Sequence, residues 1–249
     1  MTEDNVVRGG KTVFGGVVGV LMLETRFPRI PGDIGNAGTW PFPVLFKVVP
    51  GASPDRVVLR QAEGLLDAFI DGARELVTAG VDGITTTCGF LALFQDELAS
   101  AVNVPVAASS LMQVPMVQKL LPPGRKVGVI TISKSALTEE HLKASNVDIG
   151  TPVVGTDEGR ELSRVMLGDE PELNLDVARA DVIDAGRRLL NEEPQTGAIV
   201  LECTNMVPFA ADLRHVLGVP VFSIYSFITW FQAGLLPRVF NPHLIDCRN

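Results

Sequence analysis

Two of the three cysteines in this 249-residue chain stand in matching surroundings. Cys88 lies in "GITTTCGF" (83–90) and Cys203 in "AIVLECTNM" (198–206). In each, an apolar, β-branched run stops and a thiol follows. A thiol has an ordinary pKa of ~8.5, and a helix N-terminus can shift it toward neutrality. Two thiols facing one carbon from opposite sides could take a proton from one face and deliver one to the other. A lone cysteine in an apolar strand most often fills space. A matched pair is harder to explain by packing, so Cys88 and Cys203 are the candidate catalytic residues. Cys247 has no counterpart and keeps the space-filling reading.

The match extends beyond the thiols. Cys88 precedes Pro105 by 17 residues, and Cys203 precedes Pro220 by 17. Phe94 and Phe209, Leu98 and Leu213, Val104 and Val219, and Val106 and Val221 then coincide at an offset of 115. "VGVLML" (18–23) corresponds to "VGVITI" (127–132) at an offset of 109. The chain therefore reads as two related halves, although βαβ units share apolar patterning for packing reasons alone.

The elements that must position the thiols are legible as apolar runs. Strands are expected at 17–23, 44–49, 83–87, 104–108, 126–132, 149–154, 198–202 and 219–223. Helical spacing of apolar residues marks 56–79 and 172–191, with "PPG" at 122–124 as a breaker. Alternation of this kind predicts an α/β fold. It is expected as two pseudo-symmetric lobes, each a short parallel sheet flanked by helices, with the active site in the cleft between them. The first lobe would comprise 1–108 plus 224–249 and the second 109–223. In open parallel sheets ligands bind at the carboxyl ends of strands, which is where both cysteines fall.

Composition narrows the function classes. With 46% apolar and 20% charged residues the chain is globular. A net charge of -8 without a Lys/Arg cluster argues against a nucleic-acid partner. The start lacks the layout of a secretory signal, and "VFSIYSFITWFQAGLL" (221–236) is too short and too interrupted to span a membrane. A cytoplasmic protein with no membrane partner is expected. Cysteines few, odd in number and far apart fit a reducing compartment, and without CxxC or close Cys/His spacing no metal site is expected.

On the "TTTCG" and "ECTNM" elements, in two pseudo-symmetric halves, the chain resembles the aspartate/glutamate/hydantoin racemase superfamily, which includes related isomerases and arylmalonate decarboxylase. The resemblance covers most of the chain. It implies Cys88 and Cys203 as the paired acid and base of a 1,1-proton transfer, with no pyridoxal phosphate or other cofactor. Homodimers are common in that family. The usual Asn-Thr after the first cysteine and Thr-His after the second are replaced by Gly89-Phe90 and Thr204-Asn205, so the auxiliary histidine is missing.

A small-molecule carboxylate substrate needs donors near the sulfurs. Thr87 and Gly89 beside the first thiol, and Thr204 and Asn205 after the second, could supply hydroxyl and amide groups. Strand propensity and helix capping are the alternative readings, and alternation along the strand ranks Thr86 lower. The loop 24–40 brings Arg26 and Arg29 toward the cleft, where either could pair a second carboxylate. Ser133 occupies the matching place in the second half, beside Lys134 and Ser135. His141 and His215 read as surface or capping residues, Glu202 as pointing away from the face of Cys203, and Phe90, Leu91, Phe94 and Leu98 as core.

The leading expectation is a cofactor-independent racemase of a small carboxylate, an amino acid such as aspartate or glutamate. Hydantoin racemisation and maleate-type cis-trans isomerisation are the alternatives within the resemblance. Outside it stand a non-catalytic small-molecule binding protein and, less favoured, a thiol-redox enzyme.

Overall fold

All eight apolar runs form strands in the computed structural model, which describes residues 7–240; Cys247 lies outside the described residues. Numbered in chain order, they are β1 Val18–Leu23, β2 Val44–Val49, β3 Gly83–Thr86, β4 Val106–Ala107, β5 Lys126–Thr131, β6 Val153–Gly155, β7 Thr196–Leu201 and β8 Val221–Phe222. The α-helices are α1 Leu66–Ala79, α2 Gln95–Ala101, α3 Val114–Leu120, α4 Glu139–Ala144, α5 Leu162–Gly168, α6 Leu175–Glu192, α7 Ala210–Leu217 and α8 Ile224–Leu235.

The strands make two four-stranded parallel sheets of the same topology, β2-β1-β3-β4 and β6-β5-β7-β8. Continuous apolar strands are what sheets covered on both faces require, and β3 is buried along its whole length. The repeat is also visible in hydrogen bonding. Thr87 N–H donates to the Leu21 carbonyl, and Glu202 N–H donates to the Ile130 carbonyl, each at 2.9 Å. These two pairs are equivalent under the sequence offsets, so each cysteine leaves its sheet from the same place.

The 172–191 expectation corresponds to α6. The 56–79 expectation does not hold as one helix: a wide turn of π-type winding at Asp55–Leu59 is followed by a break before α1. Gln61, Ala62 and Gly64 adopt left-handed φ values of 52°, 55° and 71°, which interrupt the i→i−4 ladder. The apolar spacing persists across the break because Val57 and Val58 still face the core. α8 starts at Ser223 with a reciprocal cap to Ser226. Its apolar residues Ile224, Phe227 and Ile228 pack against Val17, Val18 and Val20 of the first sheet. Among the described residues no helix is long and apolar enough to cross a membrane.

One contiguous apolar cluster runs through both halves, with Leu21, Phe69 and Ile84 from the first and Ile130, Leu201 and Met206 from the second. Cys88 and Cys203 belong to it.

Candidate active site

Each cysteine sits at the same junction. β3 ends at Thr86, Cys88 is extended (φ −149°, ψ 120°), a 3-10 turn covers Gly89–Phe94, and α2 follows. β7 ends at Leu201, Cys203 is extended (φ −74°, ψ 126°), a 3-10 turn covers Thr204–Phe209, and α7 follows. Thr86 secures the first junction by donating to the carbonyls of Ala108 (2.7 Å) and Cys88 (2.9 Å), a structural role.

The two thiols line one narrow cavity. The first half contributes Thr87, Cys88, Gly89 and Phe90, and the second contributes Glu202, Cys203, Thr204 and Asn205 at equivalent positions. The distorted turn after β2 adds Pro54 and Val58, and α5 adds Met166 and Leu167.

The two sulfurs differ in their surroundings. Burial pushes the Cys88 thiol up to about 12, with the Glu202 charge adding to this. The N–H groups of Phe90 and Leu91 and the charge of Arg29 pull the other way. Cys203 is held well above its ordinary range, chiefly by burial and then by Glu202, with further contributions from Cys88 and Asp33. Its Sγ–H donates to Asn205 Oδ1 at 3.6 Å. Asn205 in turn donates from Nδ2 to Asp33 Oδ2 at 2.5 Å, and Asp33 pairs with Arg29 at 2.8 Å. This chain fixes the Asn205 amide with its oxygen toward the sulfur, where it accepts the thiol hydrogen. Cys88 has two N–H groups and an arginine charge favouring its ionised form, whereas Cys203 has the single N–H of Asn205.

The remaining expected residues are distributed unevenly. The Thr87 hydroxyl accepts from Leu23 N–H (3.0 Å), which leaves its own hydrogen for a ligand. The Thr204 hydroxyl is already spent on the Thr87 carbonyl at 2.8 Å, so it ties the halves together and has no proton left to offer. Arg26 does not line the cavity: its backbone N–H and its guanidinium both engage Asp169, and its side chain is 76% exposed. Arg29 lies closer, but Asp33 and Thr25 occupy its guanidinium. Ser133 is buried away from the lining, with its Oγ 3.2 Å from Ser135 Oγ. His141 caps α4 as expected, accepting from Thr138 at Nδ1, but is fully buried against the Phe90 ring. Phe90 is core and cavity wall at once.

Glu202 is the residue that sequence reasoning placed wrongly. Strand alternation turns it away from Cys203, yet β7 has ended at Leu201 and the carboxylate lines the cavity. It is fully buried, and Oε2 accepts from Thr131 Oγ1 at 2.7 Å. Burial raises its pKa to about 7, against the lowering effect of Thr131 and the Ile132 N–H.

Comparison with known proteins revises the expected activity. A dimethylsulfoniopropionate lyase of Durusdinium sp. clade D is 27% identical over 232 residues, covering 88% of this chain and 75% of that protein. Dimethylsulfoniopropionate lyase 7 of Emiliania huxleyi (strain CCMP1516) is 28% identical over 250 residues, covering 91% and 70%. The solved allantoin racemase from Klebsiella pneumoniae shares the fold, with a TM-score of 0.59 at 20% identity over 88% of this chain and 87% of that one. Curated relatives at 25–29% identity carry lyase names, and the expectation of an amino-acid racemase is overturned by them. A family model described as Asp/Glu/Hydantoin racemase matches residues 53–230, and the chain belongs to that family of enzymes.

Proposed function

We propose that the chain is a lyase that splits a β-sulfonio carboxylate, of which dimethylsulfoniopropionate is the simplest case, into a thioether and an unsaturated acid. The observation that carries this reading is the unequal dressing of two equivalent sulfurs. A proton transfer between two faces of one carbon suits two alike thiols, whereas an elimination needs one base. The cavity offers one sulfur beside two N–H groups and the Arg29 charge, and one whose thiol donates to the Asn205 amide oxygen and meets a single N–H. The lyase names of the relatives agree with it.

The step balances without a cofactor. The Cys88 thiolate takes the proton α to the carboxylate, and the C–H electron pair becomes the new C=C bond. The C–S bond breaks with its pair remaining on sulfur, which leaves as neutral dimethyl sulfide beside acrylate. Cys88 then returns its proton to solvent. Charge gathers on the carboxylate during proton removal, and the Thr87 hydroxyl, with the N–H groups of Gly89 and Thr204, supports it there. The apolar walls from Leu23, Val58 and Ile132 exclude water and strengthen those bonds.

Incubation of the purified protein with dimethylsulfoniopropionate, followed by gas chromatography of the headspace and acrylate assay, tests the reading. Equal amounts of both products are expected from the wild type. Cys88→Ser is expected to lose about 1000-fold in kcat and Cys203→Ser about tenfold, within the span of general-base effects. No dimethyl sulfide from the wild type rules out the lyase, and equal losses in the two variants rule out the single-base assignment.

A further inference from the structure

One oxygen in the cavity has no partner. Glu202 Oε1 is buried without any hydrogen bond, while Oε2 is held by Thr131. Glu202 is the only carboxylate lining the cavity, and no lysine or arginine lines it among the described residues. The group is also deliberately admitted. A Cβ at residue 89 would overlap Oε1 and come within 2.6 Å of the Glu202 carbonyl oxygen, so only glycine at 89 leaves the carboxylate its place. Two residues from different halves thus meet in the cavity wall, where Oε1 is packed against Gly89 with neither exposed surface nor a partner. A buried carboxylate with one oxygen left unpaired is costly and calls for a proton or a cation there. The Phe27 and Phe90 rings and the Met166 thioether line the same cavity, and such groups attract an onium ion.

We propose that Glu202 Oε1 is the seat of the substrate's positive charge, so that the pocket selects small carboxylates bearing a sulfonium or quaternary ammonium group over neutral-tailed acids of the same shape. The choice of sulfonium as the natural group rests on the lyase reading; the preference for an onium tail does not. Seating a cation there also removes the obstacle that Glu202 poses to Cys88, since its negative charge opposes the thiolate. The base would then form when the correct ligand arrives and stay protonated otherwise.

Titration calorimetry with two non-reacting probes of matched shape tests this: 3-(trimethylammonio)propionate and 4,4-dimethylpentanoate. The wild type is expected to bind the ammonium probe about 30-fold more tightly, in keeping with a desolvated onium contact. Glu202→Gln should bring the two within about threefold by weakening the ammonium probe alone. Glu202→Met, which places no polar group in the buried site, serves the same purpose if the glutamine variant does not fold. Equal binding of the probes by the wild type, binding of neither, or a preference that survives in the folded variants overturns the proposal. Dimethyl sulfide release measured in parallel separates the two ideas. Release without an onium preference sinks the seat and leaves the lyase; a preference without release does the reverse.

Discussion

The chemistry of the cavity turns on three side chains whose charges oppose one another. In the proposed step Cys88 must lose a proton, Glu202 resists that loss when ionised, and burial holds Cys203 well above its ordinary range. The pH dependence of kcat/KM should expose this arrangement. The free thiol at about 12 means activity climbs about tenfold per pH unit through the alkaline range, since only the deprotonated fraction reacts. Glu202 must also be ionised to receive a cation, so below about pH 7 a second proton opposes activity and the slope steepens. The groups facing it are Cys88 across the cavity and Cys203 beside it, with Asp33 and Arg29 of the 24–40 loop reaching it through Asn205. Glu202→Gln should therefore straighten the acid limb of the profile to a single slope. A wild-type profile with one slope from pH 5 to 9 would show that Glu202 does not titrate in the step.

At the level of elements, the site depends on what immediately follows each strand. Gly89 opens the turn after β3 against the Glu202 backbone and carboxylate, so Gly89→Ala forces one of them to move. Overpacking of this kind costs about 1–3 kcal/mol, and the variant should also lose most of its turnover, as thermal denaturation and product release will report. α4 and the end of β7 carry a second test, because their buried titratable groups pull stability in opposite directions. His141 is depressed to about 4 in the folded chain, so its contribution is complete above the ordinary value of 6.5 and is lost as pH falls toward 4. Glu202 is raised to about 7, so its contribution is complete below the ordinary 4.5 and is lost as pH rises through 7. Between about pH 4.5 and 6.5 the two oppose each other. Urea midpoints should thus drift downward with rising pH in His141→Gln relative to wild type, and upward in Glu202→Gln; parallel pH curves for all three proteins would refute the assignment. The strands were legible because sheets covered on both faces need unbroken apolar runs, and the thiols because they punctuate two such runs identically. Glu202 was not legible, because alternation applies only inside a strand and its orientation depends on a glycine 113 residues earlier. Arg26 and Arg29 could not be ranked from sequence either, since Asp169 and Asp33 decide which of them lies outside and which is paired near the cavity.

Across the whole molecule, the same scaffold is used twice while the chemistry is used once. The sheets share one topology, yet Thr87-Cys88-Gly89-Phe90 faces Glu202-Cys203-Thr204-Asn205, and a ligand between them meets different groups at each end. That asymmetry has meaning only if the halves are held in fixed register. Several bonds hold them: Thr204 to the Thr87 carbonyl, Asn205 to Asp33, the Ser226 hydroxyl to Gln113 Oε1 at 3.2 Å, and Asp169 to the Arg26 and Phe27 N–H groups. The largest apolar cluster also passes through both halves, and only the smaller clusters on the far faces, under α8 and under α3 and α4, belong chiefly to one sheet. The chain should therefore unfold in one transition, with calorimetric and van't Hoff enthalpies in agreement. Thr204→Val sharpens the point. It removes the donor and leaves the buried Thr87 carbonyl unpaired, at a cost of about 1–3 kcal/mol. Because Thr87 and Cys88 are adjacent, the same change should loosen the base and lower kcat more than KM. The transition should move to lower temperature but remain single. Two resolved transitions, in the wild type or in this variant, would mean that the halves fold separately and that the cavity is a contact between finished domains instead of part of a common core.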